Sequence, residues 1–156
     1  MLNRRHLRIK VLQLLYAHFQ SNEQDFIKTD KELNVSLDRM YDMYLYLLLT
    51  FEQLNRAAEN KMEDRKKKLR PTSEDLNPNM KFVQNVLVDA IEGSNELTKL
   101  CESRKVNWLG AESQEIFRKL YLSILESEVY FEHMNNDALG LEEDMQFALQ
   151  LFKSEI

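Results

Sequence analysis

The chain is poor in the residues that make turns and cross-links. Its 156 residues include three glycines (Gly93, Gly110, Gly140), two prolines (Pro71, Pro78) and one cysteine, Cys101. Sheet proteins turn often and use glycine and proline to do so, and this scarcity argues for long helices instead. One cysteine can form neither an internal disulfide nor a thiolate metal site, which fits a reducing cytoplasm. No apolar run reaches the roughly 20 residues that a membrane span requires. The N-terminal stretch is broken by Arg4, Arg5, Arg8, Lys10 and Gln13, unlike a signal peptide.

Signatures of catalysis are missing as well. There is no G-x-G-x-x-G, no P-loop and no H-E-x-x-H. The histidines His6, His18 and His133 lack the helical ligand spacing of a metal site. His133, beside Glu132, reads as a surface residue, and Cys101 as a small core residue. The acids Glu126, Glu128, Glu132, Glu142, Glu143 and Asp144 match a solvated helix surface. The expectation is a binding protein with no catalytic residue, no metal and no cofactor.

What is present is charge and helical periodicity. Charged residues make up 30% of the chain, and an all-α bundle of about six helices, one of them long, is expected. The first helix spans Asn3 to Gln20, with Leu7, Val11, Leu12, Leu15, Tyr16 and Phe19 as its core face. The polar cluster 21–25 ends it. A second, long helix starts at Thr29, which can form a capping box with Glu32, and its pattern extends toward Leu69. Its stripe is Leu33, Leu37, Met40, Tyr44, Leu47, Phe51, Leu54 and Ala58, and residues 44–49 should be buried on more than one side. Tyr41, Tyr44 and Tyr46 read as core.

The two prolines bracket a linker over 71–79 that separates a first region, 1–70, from a helical subdomain, 80–156. Asn77-Pro78 reads as a cap and first turn, opening a third helix to Glu92 with Phe82, Val83, Val86, Leu87 and Ile91 inward. A fourth helix covers Asn95 to Arg104, and a loop at 106–110 is anchored by Trp108. A fifth helix runs from Ala111 to Met134. A sixth runs from Leu141 to the end on Met145, Leu149, Phe152 and Ile156. This last helix shows no stop signal. It reads either as a chain that continues further or as a helix that frays at its end.

Charge is unevenly spread. Residues 1–22 hold Arg4, Arg5, Arg8 and Lys10 and no acid, so that with −5 for the whole chain the remainder carries −9. A helix N-terminus is electropositive and prefers Asp or Glu in its first turn. Three arginines there cost stability, each on the order of a few tenths of a kcal/mol. At about 100° per residue they share an arc of about 100°, as a cationic claw. Exposed N–H groups at the helix start and the planar guanidinium both suit phosphate and base contacts. The alternative is that the arginines pair with the protein's own carboxylates. The second basic run, Arg65–Lys68 with Arg70, sits at a helix C-terminus, where cations suit the dipole, and reads as a solvated helix end.

Arg4-Arg5-His6-Leu7-Arg8, followed by Val11-Leu12-Gln13-Leu14-Leu15-Tyr16, resembles the opening helix of the NusB family of bacterial transcription antitermination factors. The family pattern is R-R-x-x-R, then an apolar pair, Gln, a variable residue, Leu and Tyr. The resemblance implies an all-helical, cytoplasmic, RNA-binding factor of transcription antitermination and termination. Its ligand would be boxA-like single-stranded RNA. Its partners would be the small-subunit ribosomal protein that acts as NusE and the transcription elongation complex, with no membrane. Arg4, Arg5 and Arg8 would contact the RNA, with His6 and Lys10 in support, while Gln13, Leu15 and Tyr16 would fix the helix in the bundle. The likeness stops near residue 16, and the P-x-K-V-x-I-N-E and F-x-N-G-x-L-D elements of the family's second half are absent. The chain therefore looks like the N-terminal portion of a long-form member, with residues 22–156 as extra helices. A helical protein–protein interaction module, as a homodimer or with other partners and without RNA affinity, is the alternative.

Overall fold

The structure, a computed structural model, describes residues 3–21, 25–137 and 140–155. Among these the fold is all-α. Its helices are α1 (Arg4–Gln20), α2 (Phe26–Lys66), α3 (Ser73–Leu76), α4 (Val86–Glu92), α5 (Asn95–Arg104), α6 (Ala111–Ile124), α7 (Glu128–Asn135) and α8 (Leu141–Ser154). The chain divides into two compact units, Met1–Leu45 and Tyr46–Ile156, with the boundary inside α2. No described helix is long and apolar enough to cross a membrane.

Caps explain where the helices differ from expectation. The α2 helix begins at Phe26, not Thr29, because the Asp25 side chain accepts the Ile27 N–H at 2.9 Å. The expected Thr29–Glu32 capping box does not form. Thr29 lies inside the helix and its hydroxyl donates to the Asp25 carbonyl. A capping box does occur in the expected linker, where Thr72 and Asp75 cap each other's backbone and start α3. Residues 71–79 belong to the second unit.

The Asn77-Pro78 start is also replaced. Asn85 accepts from Leu87 and Val88 and opens α4 eight residues later. Residues 81–84 form a turn instead, whose Val83 carbonyl accepts from the Asn55 side chain. The expected fifth helix is two helices. Ser127 donates to the Ile124 carbonyl and accepts the Tyr130 N–H, ending α6 and capping α7.

The second unit has a closed core. Leu54, Ala58 and Met62 of α2 meet Phe82 and Val83 of the turn, Phe117, Tyr121 and Ile124 of α6, and Phe147 and Leu151 of α8. Phe82 contacts the rings of Tyr121, Tyr130 and Phe147 at 5.4, 5.7 and 6.0 Å. Trp108 packs edge-on against Phe117, and its Nε1 donates to the Tyr46 carbonyl at 2.9 Å. The inward face of α8 carries Asp144, Phe147, Ala148 and Leu151. Met145 and Leu149, expected inside, are exposed, and Ile156 lies outside the described residues. Val86 is likewise exposed, and Val88 is buried in its place. In α2, Leu45 is buried, 46–49 are half-buried, and Tyr41 and Tyr44 are exposed and stacked on each other.

Two polar residues read as surface are buried. His133 is 4% exposed, its ring stacked on Phe147 at 3.8 Å, and among the described residues neither ring nitrogen has a hydrogen-bond partner. Asp144 is also buried, and its Oδ2 accepts the Val86 N–H at 2.8 Å, which ties α8 to the start of α4. A sequence cannot show this long-range partner.

Candidate nucleic-acid interface

The first unit places the expected site on α1. Asn3 caps the helix by accepting the His6 N–H at 2.9 Å, and its first turn holds no acid. Arg4, Arg5, His6 and Arg8 are exposed, and Lys10 is half-buried. At about 100° per residue, Arg4, Arg8 and Arg5 lie on one side of the helix. His6 and Lys10 fall on another, so the structure gathers the three arginines and leaves the other two apart. Among the described residues, none of the three arginines forms an ion pair with a carboxylate.

The arginine face continues into apolar side chains, and these are not core. Leu12 is 68% exposed, Tyr16 68% and Phe19 65%, with Val11 and Leu15 also outward. Gln13 is exposed too. The expected anchoring of α1 through Gln13, Leu15 and Tyr16 is therefore corrected. The inward face is Leu7, Lys10, Leu14 and His18, spaced at three and four residues, with the Lys10 stem half-buried. His18 decides this orientation. It is buried, its Nδ1 lies 2.8 Å from the Thr29 hydroxyl, and its ring lies 4.4 Å from that of Phe26. The signal was available in the sequence. A face that carries three arginines cannot be buried without partners for them, so the apolar residues that share it stay outside as well.

The second basic run behaves differently. Asp75, buried, takes Lys68 Nζ at 3.0 and 3.1 Å and Arg65 Nε at 3.6 Å. The Thr72 backbone N–H, then Lys68, holds the Asp75 carboxyl below the usual carboxylate range. Lys66 pairs with Glu63 at 3.6 Å. This run is partly neutralised by the protein's own acids, and the α1 cluster is not.

No family model, no curated protein and no solved structure matches the chain. Among the described residues no group of three His, Cys, Asp or Glu is placed to hold a metal ion. Cys101 is buried, and burial, then Glu52, pushes its thiol above the usual value. What remains on α1 is a row of fixed cations beside exposed aromatic faces. That arrangement can bind phosphates and unstacked bases.

Proposed function

We propose that this protein binds single-stranded RNA through the arginine face of α1, as a transcription antitermination and termination factor of NusB type. It is a cytoplasmic binding protein and not an enzyme. The ligand is boxA-like RNA, and the partners are the small-subunit ribosomal protein acting as NusE and the elongation complex. One observation carries the reading. Arg4, Arg5 and Arg8 stand exposed together at an electropositive helix end, with no acid in the first turn to compensate them. A polyanion supplies that compensation, and the likeness of residues 4–16 to the family's opening helix points to RNA.

Replacing Arg4, Arg5 and Arg8 by alanine tests this. Fluorescence anisotropy with a labelled single-stranded boxA-like oligonucleotide should show weaker binding. The dependence of log affinity on log salt should flatten by about 0.7 for each phosphate that the variant no longer neutralises. Equal affinity and equal slope in both proteins reject the proposal.

The second reading is a helical interaction module, and the exposure of Leu12, Tyr16 and Phe19 on the same face favours it. Light scattering across concentrations separates the two. A concentration-dependent dimer with no RNA affinity at about 0.1 M salt supports the module.

A further inference from the structure

We infer that the groove between the middle of α2, α5 and the 106–109 loop in the second unit is a docking site for a basic amphipathic helix of a partner protein. The groove encloses about 740 Å³. Its apolar wall is built from Leu49, Ile91, Leu97, Val106 and Trp108, and Leu109 stands 80% exposed at its edge. Helix-in-groove recognition lays side chains at i, i+3 or i+4 and i+7 into an apolar trough of this kind. Strand addition needs a free sheet edge, and the described residues contain no strand, which leaves side-chain insertion into the trough as the mode of recognition. A helix is the occupant that this surface fits.

Charge gives the occupant its sign. Glu52, Glu92 and Glu102 line the groove. Arg56 pairs with Glu52 and also offsets part of the negative field at Glu92. Glu59 and Asp89 add their negative field at Glu92, whose carboxyl is raised above the usual range by burial first and by Glu52 next. Lys105 is the other cation in the lining, so three acids face two bases and the groove keeps a net charge of −1, with Glu59 and Asp89 just outside it. Several carboxylates gathered round an apolar trough repel one another, and lysines or arginines flanking an apolar helix face relieve that repulsion. Complementarity of this kind sets the approach rate and excludes acidic competitors. The inference is independent of RNA binding by α1 and uses none of its residues.

Trp108 is the only tryptophan of the chain and lines the groove, so its emission reports occupancy directly. The titrant is a synthetic helix of about 18 residues, long enough to be helical alone, with leucines at i, i+3, i+4 and i+7 and lysines elsewhere. Added to the full chain, it should shift Trp108 emission and bind more weakly as salt rises. Glu92→Lys with Glu102→Lys should weaken binding about tenfold or more. Both substitutions lie in last turns, where lysine suits the helix dipole. Leu109→Ser, at an exposed loop position, should weaken binding without a charge change. Glu126→Lys with Glu132→Lys alters net charge equally but lies outside the groove lining, and should leave binding intact. Melting curves verify that each variant is folded. The inference is overturned if a glutamate-for-lysine peptide binds as tightly, or if the remote pair costs as much as the groove pair. It is equally overturned if Trp108 does not respond to the peptide, or if Trp108 emission shifts with protein concentration alone, as a second copy of this chain in the groove would make it.

Discussion

The two units use the same apolar periodicity and reach opposite outcomes. In the second, Phe117, Tyr121 and Ile124 of α6 come at helical spacing and are closed off from solvent. In the first, Leu12, Tyr16 and Phe19 come at helical spacing and face outward. The difference lies in what shares the face. The apolar stripe of α6 shares its arc with nothing charged, whereas that of α1 is continuous with Arg4, Arg5 and Arg8. Periodicity therefore states which residues lie on one side of a helix. Whether that side is covered depends on the least buriable residue on it.

The sharpest contrast comes from one truncation in each unit. Ile124→Ala should cost about 4 kcal/mol in urea unfolding, through forfeited transfer energy and a residual cavity. Leu12→Ala should cost less than about 0.5 kcal/mol, as an exposed position does. A Leu12→Ala cost comparable to that of Ile124→Ala would break the comparison, because it would mean that the α1 face is covered in solution.

A smaller effect of opposite sign is expected at the end of α5. Lys105 adopts φ 57° there, and the Val106 N–H closes back on the Cys101 carbonyl at 2.9 Å, a turn that glycine usually occupies. Lys105→Gly removes the clash of Cβ in this left-handed conformation and should stabilise the second unit by about 1 kcal/mol. An unchanged or lower melting temperature contradicts this.

The smallest expected effect concerns acid. Burial, then Lys81, lowers the His133 imidazole below its usual 6.5, while Asp144 and Glu143 oppose the shift. Between that lowered value and 6.5 the unfolded chain holds a proton that the folded chain excludes. Stability therefore falls as pH drops through this window and is fully present above it. His133→Phe keeps a flat ring on Phe147 and should flatten the pH dependence of melting over that range. A wild-type melting temperature constant from neutral pH down through the window would contradict the assignment.

Much of the fold was legible from local signals. The first helix, the fourth expected helix, the Trp108 loop and the length of α2 all follow from apolar spacing, and the structure adds Asn3 and Ser94 as the caps that start two of these helices. Helix starts were misread where two caps competed, with Asp25 displacing Thr29 and Asn85 displacing Asn77. Both faces misjudged, on α1 and α8, were apolar stripes rotated away from a polar residue held by a distant partner. For α1 that residue is His18, against Thr29, and for α8 it is Asp144, against Val86. The α8 pairing is invisible to spacing because it joins residues 58 apart in the chain, whereas the outward face of α1 was signalled by the three arginines on it. The arginine cluster was legible because it violates the helix dipole, whereas its aromatic neighbours were misassigned to a core.

The order in which the core of the second unit is recruited has a temporal consequence. Its last members are Phe147 and Leu151 of α8, while α2 contributes Leu54, Ala58 and Met62 nearly a hundred residues earlier. A ribosome adding roughly 5–20 residues per second needs about 5–20 s between these two points. During that interval Phe82, Phe117 and Ile124 have emerged without the helix that seals them. The arginine helix is thus presented to the cell well before the second unit can close, and for those seconds the apolar residues of that unit stay uncovered.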